Sequence, residues 1–493
     1  MVIMDVNVSQ KIARFILDSQ FKNIPEVACN HAKMGMLDWL SVVMVGLKEE
    51  QNAIKKIKDL FLDLDGQPRA TIIGTKLKIS SPLAAKINAF SGHILDYDDT
   101  CTLIRSHLSA PLMPSILAVG EENKISGEEL LLSYMLGYEV SLRIGQVMTP
   151  MWIERGWHGT SIFGVFGVTA AVGKILKLNI EQMQNALGIA ASTASGLANN
   201  FGTMTKPLHV GLAAYNGILA VIMAKQGLTA SKDAIEGTNG FFHAYGYGVS
   251  FSLDHIERLG SPWGLEKPGV LNPKLYPCCH GVATNIEQGI RLRQKYRLSV
   301  DEIQDIEIHT QSKALSAMLS KSYTKNGERV KWGYNGPPLQ VAPSIPLVGN
   351  EGKFSKEYAF ARALLDGEVS FEHFTDEAVN DPLIKQLMGK IKVYHNGKLE
   401  SISFEHPEEE CAYGEIAIVR LKNGYTVEDE QIYMQGATKR PLSMDDVRKK
   451  FIYCANESGL AQIKKDKIIT TVKNIENAGS ISDLFPNFEG LLR

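Results

Sequence analysis

The chain has almost no net charge: 52 lysines and arginines face 54 aspartates and glutamates, a formal balance of −2 over 493 residues. That balance gives no global reason to expect nucleic acid or an anionic membrane as partner. Cysteine is scarce and scattered, and Cys29, Cys101, Cys278, Cys279, Cys411 and Cys454 show no disulfide-framework spacing. Only Cys278-Cys279-His280 invites a metal, yet adjacent cysteines diverge and no CxxC or HExxH accompanies them. No metal site is expected, and the thiolate set of an iron–sulfur hydratase is missing too. The first residues, Met1 to Val6, lack a basic region followed by an apolar core, which makes the cytoplasm the expected location. The glycine-spaced apolar segment Ser161 to Val172 falls far short of the ~20 residues of a membrane span, and no dinucleotide fingerprint or phosphate loop appears.

What is present is mostly helical periodicity. Residues 1–268 carry apolar positions at three- and four-residue spacing over Ile12 to Leu17, Val27 to Val45 and Leu130 to Val147. Ser126-Gly127-Glu128-Glu129 and Asn179-Ile180-Glu181-Gln182 read as helix starts. Pro207 to Gln226 gives a further long apolar helix, so a bundle is favoured over a parallel-sheet fold. Near Ser261-Pro262-Trp263-Gly264 the texture changes. Strand-like runs follow at Asp305 to His309, Ile391 to Tyr394, Ile416 to Leu421 and Tyr425 to Ile432, with Asn423-Gly424 as a hairpin turn. Helices are expected at about 282–296, 354–366 and 376–390, and residues 311–350 read as a long irregular stretch. Helix returns at Met444 to Ser458. The expected fold is mainly α: a large helical domain built from 1–268 and 433–493, with an inserted smaller α+β lid over 269–432.

Chemistry concentrates first at Asp96-Tyr97-Asp98-Asp99-Thr100, followed by Arg105 and His107. Clustered carboxylates beside an imidazole are what proton transfer near neutral pH requires, because repulsion and burial push their pKa values apart. A solvated acidic turn after a helix is the plain alternative. Four further segments exceed what packing demands: Gly156-Trp157-His158-Gly159-Thr160, Thr205-Lys206-Pro207-Leu208-His209, Lys274-Leu275-Tyr276-Pro277-Cys278 and Lys353-Phe354-Ser355. Pro207 places Lys206 and His209 near a helix N-terminus, which favours bound carboxylates. If Arg105, Lys206 and Lys274 converge with His107, His158 and His209, the natural ligand is a di- or tricarboxylate.

The segments at 95–100, 157–160, 206–214 and 274–278, in this order and at these distances, resemble the MmgE/PrpD family over nearly the whole chain. The resemblance implies a homodimer and catalysis without metal or organic cofactor in a cleft between the domains. It carries roles onto Asp96, Thr100, His107 and His158 as catalytic residues, and onto Lys206 and Lys274 as substrate-binding ones. This chain departs from the family pattern at His107-Leu108-Ser109, where members often have His-Pro-Ser/Gly, and the family's lid tyrosine falls near Leu315.

The implied activity is a cofactor-independent lyase of small carboxylic acids, by 2-methylcitrate- or citrate-type dehydration or cis-aconitate-type decarboxylation. His107 is expected to move the proton, tuned by Asp96. Thr100 positions the substrate, Lys206 and Lys274 bind its carboxylates, and His158, His209, Arg105 and Tyr276 are further contacts. An epimerase of an iminodisuccinate-like dicarboxylate would need a second acid/base, His158 or Tyr276, facing His107. A non-catalytic carboxylate-binding dimer is the competing class.

Overall fold

The computed structural model describes residues 7–63, 67–149, 152, 155–246, 251–315, 323–328, 334–405 and 414–491. Cys411 and parts of the 311–350 stretch lie outside these residues. The fold is mainly α, as the periodicity requires. The expected helix starts are capping boxes: Ser126 and Glu129 exchange bonds at the head of Gly127–Met148, and Asn179 and Gln182 do so at Ile180–Thr193. Each satisfies two backbone N–H groups that a helix start leaves without partners.

Gly159–Ile175 is apolar around its whole circumference and is buried at every position but Lys174. A helix without a polar face belongs at the centre of a bundle. It packs between Gly127–Met148, Ser109–Asn123 and Thr205–Lys225. Thr205–Lys225 is long and apolar enough to cross a membrane by composition, yet most of its apolar window is buried among its neighbours here. Its Gly211 lies so close to Ser81–His93 that a Cβ would stand 2.8 Å from the Lys86 carbonyl. That close approach is what brings Lys206, one turn earlier, to the end of the Ser81–His93 helix.

Two main hydrophobic cores divide the described residues. The first runs from Val8 to Leu271 and resumes from Val447 to Phe488, and it also receives Phe371. The second lies between Cys278 and Val427. The return to the first core is made by Met444–Glu457, which packs on Glu26–Glu49. There Lys450 Nζ reaches Asp38 Oδ1 at 2.6 Å and the Tyr97 carbonyl at 2.7 Å.

The second core is built on a five-stranded sheet. In spatial order its strands are Leu339–Gln340, Ile391–His395, Ile303–Thr310, Glu415–Leu421 and Thr426–Gln431. Ile303–Thr310 pairs in parallel with Ile391–His395 and antiparallel with Glu415–Leu421. Asn423-Gly424 forms the turn of the last hairpin, with Gly424 at φ +87°. Alternate residues of Glu415–Leu421 are buried, a one-sided pattern, and Ala283–Tyr296 packs against this strand. One element differs from the sequence reading. The helix expected over 376–390 is two short ones, Asp376–Val379 and Pro382–Met388, because Asp381 caps a new start and Pro382 opens it.

Candidate active site

The acidic run at 96–100 is no solvated turn. Asp96 is 4% exposed, and Asp98 and Asp99 are fully buried. After Ser81–His93 the chain turns back sharply through Asp96, whose φ of +53° is a left-handed conformation that aspartate tolerates better than most residues. The Asp96 N–H donates to the His93 carbonyl at 3.0 Å. The reversal returns Asp98 to the imidazole of His93, whose Nδ1 lies 2.8 and 2.9 Å from the two carboxylate oxygens. The segment is then tied to the end of the first core's N-terminal run by a two-residue ladder, Thr100–Cys101 against Leu271–Asn272. Lys274 follows two residues later and crosses to Asp96.

At the centre Asp96 Oδ1 accepts Lys274 Nζ at 2.5 Å and meets Lys206 Nζ at 3.1 Å. Burial alone would raise the Asp96 pKa, but the two ammonium groups outweigh it and hold the carboxyl well below its usual range. Burial likewise works against the charge on Lys274, and Asp96 more than restores it. Lys206 Nζ also donates to His93 Nε2 at 2.8 Å, so both nitrogens of His93 are committed. His107 sits beside this chain of charges, its ring 4.7 Å from that of His93. Its Nδ1 lies 3.0 Å from the Asp99 carbonyl, which can only accept, so Nδ1 carries the proton. Asp98 Oδ2 lies 3.4 Å from the same nitrogen. The bare Nε2 of His107 faces Asp96 Oδ1 at 3.6 Å. Burial, then Lys274, hold this imidazole well below the ordinary histidine pKa.

The second histidine pair adjoins the first. His158 stacks 6.1 Å from His93, and its Nδ1 lies 3.2 Å from His209 Nδ1. Burial and Lys206 keep both neutral, His209 at about 4. Thr160, of the tryptophan–histidine segment, accepts the His107 backbone N–H through Oγ1 at 3.0 Å. Phe201 and Phe354 form a roof: their rings stack at 5.9 Å, with Lys206 Nζ 5.6 and 5.7 Å from their centroids. Lys353, buried beside them, points to the Ile94 carbonyl at 3.4 Å and to Asn350 Oδ1 at 3.0 Å.

Asp96, His107, Lys206 and Lys274 are therefore brought together, with His158 and His209 one ring away. The Thr100 hydroxyl and Asp96 Oδ2 are buried with no hydrogen-bond partner among the described residues. Arg105 is half-buried in the left-handed turn between Cys101 and Ser106, while the cations on Asp96 are the two lysines. Tyr276 packs on the lid core, where burial and then Glu287 raise its pKa. Two participants escaped the sequence reading. His93 is hidden inside an apolar helical run, its only signal being its place one turn before Asp96. Asp98, given no role of its own from the sequence, faces two imidazoles.

His93, Asp96, Asp98 and His107 offer four donor atoms within 4.8 Å of one another, a spacing that suits a metal ion. However, Lys206 already occupies His93 Nε2, and two ammonium groups compensate Asp96. A divalent ion would have to displace them, so the donor set fits an anion-binding site better than a cation site.

The sequence is similar to that of known proteins. The model of the MmgE/PrpD N-terminal domain matches residues 10–254, and that of the C-terminal domain matches residues 276–477. The chain is 26% identical to the cis-aconitate decarboxylase of Mus musculus, over 97% of this chain and 92% of that protein. It is 28% identical to the cis-aconitate decarboxylase of Homo sapiens, over 84% and 80% of the two chains. It is 24% identical to the cis-aconitate decarboxylase-like protein oryM of Aspergillus oryzae, over 99% and 98%. With both domain models matched in order across most of its length, the chain belongs to the MmgE/PrpD family.

Proposed function

We propose that this protein is a cofactor-independent lyase of a small tricarboxylic acid, with cis-aconitate-type decarboxylation as its first reading. One observation carries the proposal: the His107 Nε2 stands beside two lysines that converge on a single carboxylate oxygen. A substrate carboxylate would take the place that Asp96 now shares between Lys206 and Lys274. Loss of CO₂ then leaves the bonding pair on carbon, delocalised into a remaining carboxylate that the lysines neutralise. His107 supplies the proton that quenches it. The resting imidazole is neutral, but a bound polyanion raises its pKa and loads Nε2. The two mammalian relatives named cis-aconitate decarboxylase support decarboxylation as the first reading.

The bare Nε2 also favours a second reading, dehydration, in which His107 removes a proton α to a carboxylate. His93 and Asp98 would hold the imidazole and its tautomer in either case, and Thr100 would position the substrate. The protein would act as a homodimer and without metal.

Incubation with cis-aconitate, citrate, 2-methylcitrate and iminodisuccinate in deuterated water, followed by NMR, separates the readings. Decarboxylation appears as CO₂ loss with one deuterium retained, and dehydration as new alkene signals. Exchange at Cα without net loss means epimerisation. His107→Ala is expected to lower kcat by about 10²–10⁴-fold, and full activity in that variant would refute the mechanism. Activity is expected to survive exhaustive chelation.

A further inference from the structure

A cavity of about 460 Å³ lies against two of the segments that carry the site. Three cationic residues line it, Arg143, Arg258 and Lys267, and among the described residues no carboxylate does. Of the nearby acids, Glu139 pairs with Arg143 itself at the cavity wall, and Glu266 and Glu257 are turned to other partners. Glu139 accepts Arg143 Nε at 2.7 Å and the N–H groups of Gly260 and Gly264. Glu266 accepts the Trp263 N–H, and Glu257 pairs with Lys11. The Arg143 guanidinium is fixed in place, because it also donates to the Pro262 carbonyl at 2.6 Å and to Gln146 Oε1 at 3.3 Å. A cavity of this size, with the Arg143 guanidinium held in place and Arg258 and Lys267 on its lining, has the dimensions of a small-ligand site.

Its inner wall decides what occupancy would do. Leu103 and Val270 line the cavity. Leu103 belongs to the turn Thr102–Ile104, between Thr100 and His107. Val270 precedes the Leu271–Asn272 strand that pairs with Thr100–Cys101 and leads to Lys274. Thr102 Oγ1 donates to the Gly269 carbonyl at 3.2 Å, which joins the two segments at the cavity wall.

We infer that this cavity binds a small anion of two or more charges, a carboxylate or phosphate, as an effector that stiffens the wall shared with the active site. The effector's action on turnover rests on the lyase reading, while the binding itself does not. Calorimetric titration of the full-length protein with citrate and, separately, with inorganic phosphate tests it. Wild type is expected to bind one probe at two sites per chain. Arg258→Glu, an exposed position remote from Asp96, is expected to lose one site with at least tenfold weaker binding, and Lys206→Met the other. Citrate or phosphate at the site that Arg258→Glu removes identifies which source the cavity accepts. Hydrogen exchange is expected to slow at 100–107 and 268–274 with the probe bound in Lys206→Met, and to stay unchanged in Arg258→Glu. Two undiminished sites in Arg258→Glu would overturn the inference, as would loss of all binding in Lys206→Met. Loss of one site in Arg258→Glu with both retained in Lys206→Met would instead overturn the active-site reading alone.

Discussion

Asp96 and the four histidines around it shift in the same direction for different reasons, and the pH consequence can be worked out. Asp96 is depressed by the lysines, so its contribution to stability is present above the unfolded value of about 3.9 and is lost as pH falls through the lower folded value. His93, His107, His158 and His209 are depressed by burial first, then by the lysines. The unfolded chain therefore takes up protons from about pH 6.5 downwards while the folded chain resists, and stability falls with pH from that point. For His209 the window ends at about 4. Urea denaturation is expected to show a clear loss between pH 7.5 and 5.5, and His209→Asn is expected to flatten it; equal stability at the two pH values would contradict this account. The same residues show what the sequence could reveal. The carboxylates, both lysines and His107 were legible because they interrupt apolar runs with groups that packing has no use for. His93 was illegible because a buried histidine within a helix looks the same whether it fills space or relays charge.

Short elements were the least legible, and they matter most to the site. The long helices announce themselves by period and caps, whereas Thr100–Cys101 and Leu271–Asn272 are two residues each and far apart in sequence. Their pairing is held from outside by Gly436, at φ +92°, where a Cβ would stand 1.8 Å from Asn272 Oδ1. Gly436→Ala is expected to lower kcat/KM at least tenfold through displacement of Lys274, measured on protein whose helical circular dichroism is unchanged. The Met444–Glu457 helix supports the same loop through Lys450, which sits 3.9 Å from the Tyr97 ring centroid and ion-pairs with buried Asp38. Lys450→Met strands that carboxylate and is expected to cost about 3–5 kcal/mol in urea denaturation. Adding Asp38→Asn should recover a large part, and no recovery would mean that packing, not charge, is what Lys450 supplies.

At the scale of the molecule, the lid meets the body along two kinds of edge. Phe371 is embedded in the helical core, its ring 5.5 Å from Tyr97 and 5.8 Å from Tyr453. Lys274, Lys353 and Phe354 meet the opposite side through polar and aromatic contacts over the site. The cluster is buried, so on the lyase reading a substrate would enter by parting that second edge while the first holds. Phe354→Ala is expected to raise KM several-fold and to speed hydrogen exchange at 94–100 and 350–356, with exchange around Phe371 unchanged. Uniformly faster exchange over the whole lid would show that Phe371 is no pivot. The change of texture near 261–269 marks a shift from helical to strand periodicity, and the described residues change core between Leu271 and Cys278. Where the lid closes was not legible, since contact between segments some 180 residues apart leaves no local pattern.

A core completed by Val447 to Phe488 also imposes an order on synthesis. When Leu271 leaves the ribosome, the groove that Met444–Glu457 will fill on Glu26–Glu49 is still open, and Asp38 has no lysine beside it. At about 5–20 residues per second, roughly ten to forty seconds pass before that helix is made. During this interval the second core can assemble within one continuous stretch of chain, whereas the first must wait with its apolar seam uncovered. The nascent helical half is thus the part of this protein that most needs a chaperone, and translational pausing between 271 and 447 would lengthen its exposure.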